Sequence, residues 1–161
     1  MKTIIVDDEY WALGQLEEEF KHQKNVELVG CFGSSLQAFE YIKTHPVDFA
    51  LLDVKMGGMD GIELGCQLRK YSPHAIIVYV SSYPEYFSDA YRNVRADYYM
   101  LKPYRKEDVK DVLERVELLA KRQRKRVQFR TFGRFDMFIN DRHYLVKPTF
   151  SDTFDLAQIG S

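Results

Sequence analysis

Cysteine is scarce in this 161-residue chain. The only two, Cys31 and Cys66, lack metal-ligand spacing and a secretory setting. They read as reduced thiols in or near a core, which sets aside a disulfide framework. A long apolar run is missing as well. The N-terminus goes straight into Met1-Lys2-Thr3-Ile4-Ile5-Val6-Asp7-Asp8, too short an apolar stretch for a signal-peptide core or a membrane span. The expected location is cytoplasmic, with no membrane partner. Excess charge of one sign is also absent: 23 basic residues face 24 acidic ones, a net −1. A chain so balanced is neither a polycation for nucleic acid nor an acidic solvating tail. No internal repeat is present. What remains, 45% hydrophobic and 29% charged residues, suits one ordinary domain plus a smaller fragment.

The organising stretch is Phe49-Ala50-Leu51-Leu52-Asp53, followed by a glycine-bearing loop through Gly57, Gly58 and Gly61. A short run apolar on both faces and stopped by a carboxylate reads as a central strand of a parallel sheet. Ligands collect beyond the carboxyl ends of such strands, so Asp53 is presented where function is expected. Asp60, just ahead of Gly61-Ile62-Glu63-Leu64, is the better helix cap.

Along the chain, Thr3–Val6 is a β-branched strand. Trp11, Leu13, Leu16 and Phe20 recur at helical spacing, opposite Glu17-Glu18-Glu19. Val26–Phe32 reads as the second strand. A helix follows Ser34 and stops at His45-Pro46. After the third strand, Asp60–Tyr71 carries Ile62, Leu64 and Leu68 on one side. Ala75–Val80 is a fourth buried strand, and Pro84 opens a helix through Tyr91. A fifth strand, Tyr98–Leu101, leads to Lys102-Pro103, and a last helix runs from Lys106 to Arg124. Five strands alternating with five helices imply α/β architecture, a doubly wound five-stranded parallel sheet.

Four strand ends carry chemistry on one edge: Asp7-Asp8, Asp53, Ser81 and Lys102. Singly, each has a plain structural use, as a cap, a turn or a solvated charge. Together, three clustered carboxylates need a compensating cation, and a hard ion on carboxylates is what Mg²⁺ prefers. Lys102 and Ser81 can each meet a phosphoryl oxygen, so a carboxylate nucleophile beside them is fit to accept a phosphoryl group.

Asp7-Asp8-Glu9, Asp53-x-x-Met56-x-x-x-Asp60-Gly61, Val80-Ser81-Ser82 and Tyr99-Met100-Leu101-Lys102-Pro103 resemble the response-regulator receiver domain of bacterial two-component signalling. The resemblance covers residues 1–122 and implies a flavodoxin-like (βα)5 fold. It further implies Asp53 as phosphoacceptor and Lys102 as the phosphoryl-contacting lysine, with Ser81 as switch hydroxyl and Tyr99 as rotating aromatic. The implied Mg²⁺ site comprises Asp7, Asp8, Asp53 and the backbone carbonyl of Lys55. Two departures stand out. Gly57-Gly58 occupies the place where the family usually has proline after the loop methionine, and Ser81 is often threonine there. The implied partners are a sensor histidine kinase and a second copy, docked through the fourth helix, fifth strand and fifth helix. Tyr83, Tyr86, Phe87, Tyr91, Tyr98 and Tyr104 crowd that region, either as a dimer face or as core and scattered surface.

Past Lys121 the texture changes. A basic linker over 123–126 precedes alternating, strand-like residues over 127–147, with Asn140-Asp141 placed to turn a hairpin. This stretch is similar to the opening strands of the winged-helix output domain of antibiotic-regulatory-protein activators. That domain's recognition helices have no counterpart after Val146, so the fragment reads as truncated, with DNA a partner only of a longer parent. Residues 148–161 are expected to be a disordered tail.

The reading is therefore a phosphoacceptor switch controlling transcription, not an enzyme. An alternative is a phosphorylation-independent dimerisation module. An aspartate-nucleophile phosphohydrolase fits less well, because such enzymes carry a second Asp two residues on, where this chain has Lys55.

Overall fold

The computed structural model describes residues 1–125, 127–131, 135–139, 142–147 and 155–158. The chain divides into two compact units, Met1–Val116 and Glu117–Ser161.

In the first unit, β1 (Lys2–Val6), β2 (Glu27–Phe32), β3 (Phe49–Leu52), β4 (Ile76–Ser81) and β5 (Tyr98–Leu101) form one sheet. Its order is β2-β1-β3-β4-β5, with every neighbouring pair parallel. The register aligns Val6 with Leu52, Leu52 with Tyr79, and Tyr79 with Tyr99. The carboxyl ends of β1, β3, β4 and β5 therefore open together. Every residue of β3 and β4 is buried, as expected of inner strands covered on both faces.

The connections are α1 (Tyr10–Phe20), α2 (Ser35–Ile42), α3 (Gly61–Tyr71), α4 and α5 (Lys106–Lys125). Here α4 comprises three short pieces, Pro84–Tyr86, Phe87–Asp89 and Ala90–Val94. α3 starts where its cap was expected: Asp60 Oδ1 accepts from the Glu63 amide at 2.8 Å. α4 departs from the expected plain helix. It tightens to a 3₁₀ turn behind Pro84 and widens to a π turn over Ala90–Val94, ending at left-handed Arg95 (φ 56°).

Trp11 corrects the expected core stripe of α1. Leu16 and Phe20 are buried, but Trp11 is 85% exposed. Five residues before Leu16, it lies about 140° round the helix from the buried face. α5 also continues through Lys125, so residues 123–125 of the expected basic linker are helical, and Arg126 lies outside the described residues.

In the second unit, β6 (Val127–Thr131), β7 (Phe135–Ile139), β8 (Arg142–Lys147) and β9 (Asp155–Gln158) form an antiparallel sheet in chain order. Ile139 pairs with Arg142, flanking the expected hairpin turn, although Asn140-Asp141 themselves lie outside the described residues. β9 corrects the expected disordered tail. Four residues of it pair with β8, Val146 opposite Leu156, because the backbone ladder supplies an order that side-chain periodicity did not signal. The remainder of 148–161 lies outside the described residues.

Candidate phosphoacceptor site

Strand ends place the site. The Asp53 amide donates to the Val6 carbonyl at 2.8 Å, the Asp7 amide to Phe32 at 3.1 Å, and the Lys102 amide to Ser81 at 2.9 Å. Each bond extends the ladder one residue beyond a strand and fixes the backbone from which a functional side chain leaves. Gly61 brings α3 close: a Cβ there would overlap the Asp53 carbonyl oxygen, so only glycine fits.

Asp7, Asp8 and Asp53 come together, each offering a carboxylate oxygen within 4.8 Å of the others. Asp7 is fully buried, Asp53 is 6% exposed, and Asp8 is exposed. Lys102 joins them. Its Nζ lies 2.7 Å from Asp7 Oδ2, 3.6 Å from Asp53 Oδ1 and 3.7 Å from Glu9 Oε2. Asp7 Oδ1 also accepts from the Glu9 amide at 2.9 Å.

Burial sets the electrostatics. It pushes Asp53 up to about 6, opposed by the Lys102 charge and reinforced by Asp7 and Asp8. Burial likewise raises Asp7 despite its bond from Lys102. Lys102 feels burial in the opposite direction, but its carboxylate partners prevail and raise it. Lys102 is thus held charged, while the carboxylates carry more negative charge than one ammonium offsets. An all-oxygen donor set with surplus negative charge suits a hard divalent cation.

The other expected residues divide. Ser81 is fully buried at the same edge, and its Oγ accepts from the Tyr83 amide at 3.2 Å. Tyr99 is half-buried and donates from its hydroxyl to the Tyr83 carbonyl at 2.5 Å. Its ring lies 6.1 Å from that of Tyr79 and 5.7 Å from that of Phe87. The Lys55 side chain leaves the cluster, its ammonium standing 5.0 Å above the Tyr86 ring.

Three contributors were missed. Glu9 reaches Lys102, and the Gly57 amide donates to Asp8 Oδ2 at 3.1 Å. Buried Tyr79 donates from its hydroxyl to the Gly61 carbonyl at 2.9 Å. Glu9 was visible as the third acid of its run; a backbone donor and a core tyrosine leave no such trace. A hollow of about 440 Å³ between Glu9, Trp11, Ser82, Lys102 and Tyr104 adjoins the site.

The parallel α/β sheet thus gathers two buried carboxylates, an exposed one, a lysine and a hydroxyl on its carboxyl edge, where sheets of this kind bind their ligands. The family model described as the response regulator receiver domain matches residues 3–114, and the chain belongs to that family. It is 28% identical over 123 residues to the transcriptional regulatory protein YpdB of Escherichia coli (strain K12), covering 76% of this chain and 50% of that protein. It is 28% identical over 115 residues to the sensory transduction protein LytT of Bacillus anthracis, covering 71% and 46%. The chain thus spans about half the length of these relatives. The crystal structure of the response regulatory domain of protein mrkE from Klebsiella pneumoniae superposes with TM-score 0.68 at 26% identity, covering 78% of this chain and 99% of that one. The CheY-like receiver domain from Methanospirillum hungatei shares the fold, with TM-score 0.65 at 24% identity and coverages of 75% and 97%. Among the described residues, no helix is long and apolar enough to cross a membrane.

Proposed function

We propose that this response-regulator receiver accepts a phosphoryl group on Asp53 in a Mg²⁺-dependent reaction and acts as a switch, not as an enzyme with its own substrate. The observation that carries the reading is Lys102 set between buried Asp7 and Asp53, at 2.7 and 3.6 Å. A Mg²⁺ held by Asp8 and Asp53, with Asp7 and the Lys55 carbonyl completing its surroundings, would supply charge neutralisation for the phosphoryl oxygens. An Asp53 oxygen attacks phosphorus. The bond from phosphorus to the donor nitrogen of a sensor kinase's phosphohistidine breaks, its electron pair staying on that nitrogen. Lys102 and Ser81 take up oxygens of the transferred group.

The switch follows from what Ser81 and Tyr99 now hold. Both are tied to Tyr83, through its amide and its carbonyl. Turning Ser81 toward a phosphoryl oxygen gives up the first tie and frees the Tyr83 segment, so Tyr99 can move inward and α4–β5–α5 is reshaped. YpdB is named a transcriptional regulatory protein, which supports a role in the control of transcription. The β6–β9 sheet would then be part of an output portion of the winged-helix activator type, with DNA as a partner only where such a portion is whole.

The test is intact mass after incubation with Mg²⁺ and acetyl phosphate, beside Asp53→Ala. One added phosphoryl group, absent in the variant, is expected. No gain in folded wild-type protein would overturn the reading and leave the phosphorylation-independent dimerisation module in its place.

A further inference from the structure

The three acidic side chains are not held alike. Asp7 is fixed by Lys102 and by the Glu9 amide, and Asp53 is packed in by burial. Asp8 is exposed, and its carboxylate is met from across the cleft by the amide of Gly57, 49 residues on in sequence, at 3.1 Å. Resting on the Mg²⁺-dependent acceptor reading, we propose that the Gly57 N–H is a positioning group. It holds one Asp8 oxygen so that the other faces the cation.

A short carboxylate beside two others is driven outward by repulsion, and an exposed one has room to turn away. A donor on the far wall reverses that preference, because a bond to an ionised acceptor is among the stronger hydrogen bonds. The donor occupies Oδ2 and leaves Oδ1 free. Aspartate then reaches the cation without first losing side-chain freedom, which is how preorganisation raises affinity.

The residue type at 57 sharpens the point. A Cβ built there meets nothing within 4 Å, and the backbone is not left-handed, unlike Gly58 at φ +86°. Neither space nor conformation demands glycine at 57. What the position supplies is an N–H, which every residue except proline carries.

The experiment titrates MgCl₂ alone into the full chain by calorimetry, comparing wild type, Gly57→Ala and Gly57→Pro. Alanine keeps the donor and is expected to bind Mg²⁺ within about twofold of wild type, whereas proline is expected to weaken binding about tenfold. Wild-type affinity in Gly57→Pro, or equal weakening in Gly57→Ala, would overturn the positioning role. Absence of Mg²⁺ binding in wild type would instead sink the acceptor reading on which the role depends. Should Gly57→Pro not fold, amide exchange at Gly57 in metal-free protein decides the matter. Exchange about tenfold or more faster in Asp8→Ala than in wild type supports the bond, and equal rates overturn it.

Discussion

Asp53 works against the stability of its own domain. Its carboxyl is pushed up to about 6 because burial and neighbouring acids disfavour the ionised form more than Lys102 favours it. A carboxyl raised above its unfolded value contributes stability that is complete below about pH 4 and is lost as pH rises through about 6. In metal-free buffer, Asp53→Asn is therefore expected to be more stable than wild type at pH 7.5, by on the order of 1–2 kcal/mol. That advantage should shrink at pH 5, and urea unfolding at the two pH values checks it. Mg²⁺ should narrow the gap at pH 7.5 by stabilising wild type alone. A variant no more stable than wild type at pH 7.5 would mean that Lys102 already neutralises the site. On the acceptor reading proposed above, the same displacement would govern reactivity, since a protonated Asp53 is no nucleophile. At low Mg²⁺, phosphorylation by acetyl phosphate should fall as pH drops through about 6, and saturating Mg²⁺ should move that fall to lower pH.

Between elements, α3 is the piece that ties the site to the sheet. Gly61 lets its first turn touch the Asp53 backbone, and Tyr79 of β4 donates to the Gly61 carbonyl. At the other end, the Arg69 guanidinium reaches the carbonyls of Val94 (2.9 Å), Arg95 (2.8 Å), Pro73 (3.3 Å) and Ala75, and the Asp97 carboxylate (3.2 Å). Lysine cannot copy such a fork, so Arg69→Lys should destabilise nearly as much as Arg69→Ala, by about 2–3 kcal/mol in denaturant unfolding. Gly65→Ala should cost about 1–3 kcal/mol, because its Cβ would overlap the Tyr79 hydroxyl and come within 2.8 Å of Val94 Cγ1. A loss confined to Gly65→Ala would place the hold of α3 in its packing rather than in the Arg69 fork. At this scale the sequence was legible where burial is uniform. β3 and Ile76–Val80 of β4 are unbroken apolar runs, and Asp60 is a cap with a side chain suited to capping. It was illegible where backbone geometry decides. The π turn of α4 and the Gly57 donor leave no residue-type pattern, β9 lies where apolar periodicity is weak, and Trp11 fits a helical spacing that its angle round α1 contradicts.

At the scale of the molecule, the question is how an event at Asp53 reaches a surface. On the switch reading proposed above, Tyr99 would be the hinge of that connection: its hydroxyl is on the Tyr83 carbonyl and its ring is edge-on to Phe87 at 5.7 Å. Phe87 is also half-exposed and lies 4.7 Å from Tyr91, so one ring touches both Tyr99 and the outer face. Tyr83, Phe87, Tyr91 and Leu101 expose between 41% and 50% of their surface along α4 and the edge strand β5. An apolar patch on an open sheet edge favours association once its rings are aligned. The phosphorylated chain is therefore expected to double in mass by light scattering, while unphosphorylated protein stays a monomer at the same concentration. Tyr91→Asp puts a charge into the patch without touching Asp53, Ser81 or Lys102. It should leave the phosphoryl gain seen by intact mass unchanged and abolish the doubling. Doubling that persists in Tyr91→Asp would move the dimer face elsewhere, and doubling without phosphorylation would show that the patch associates independently of the switch.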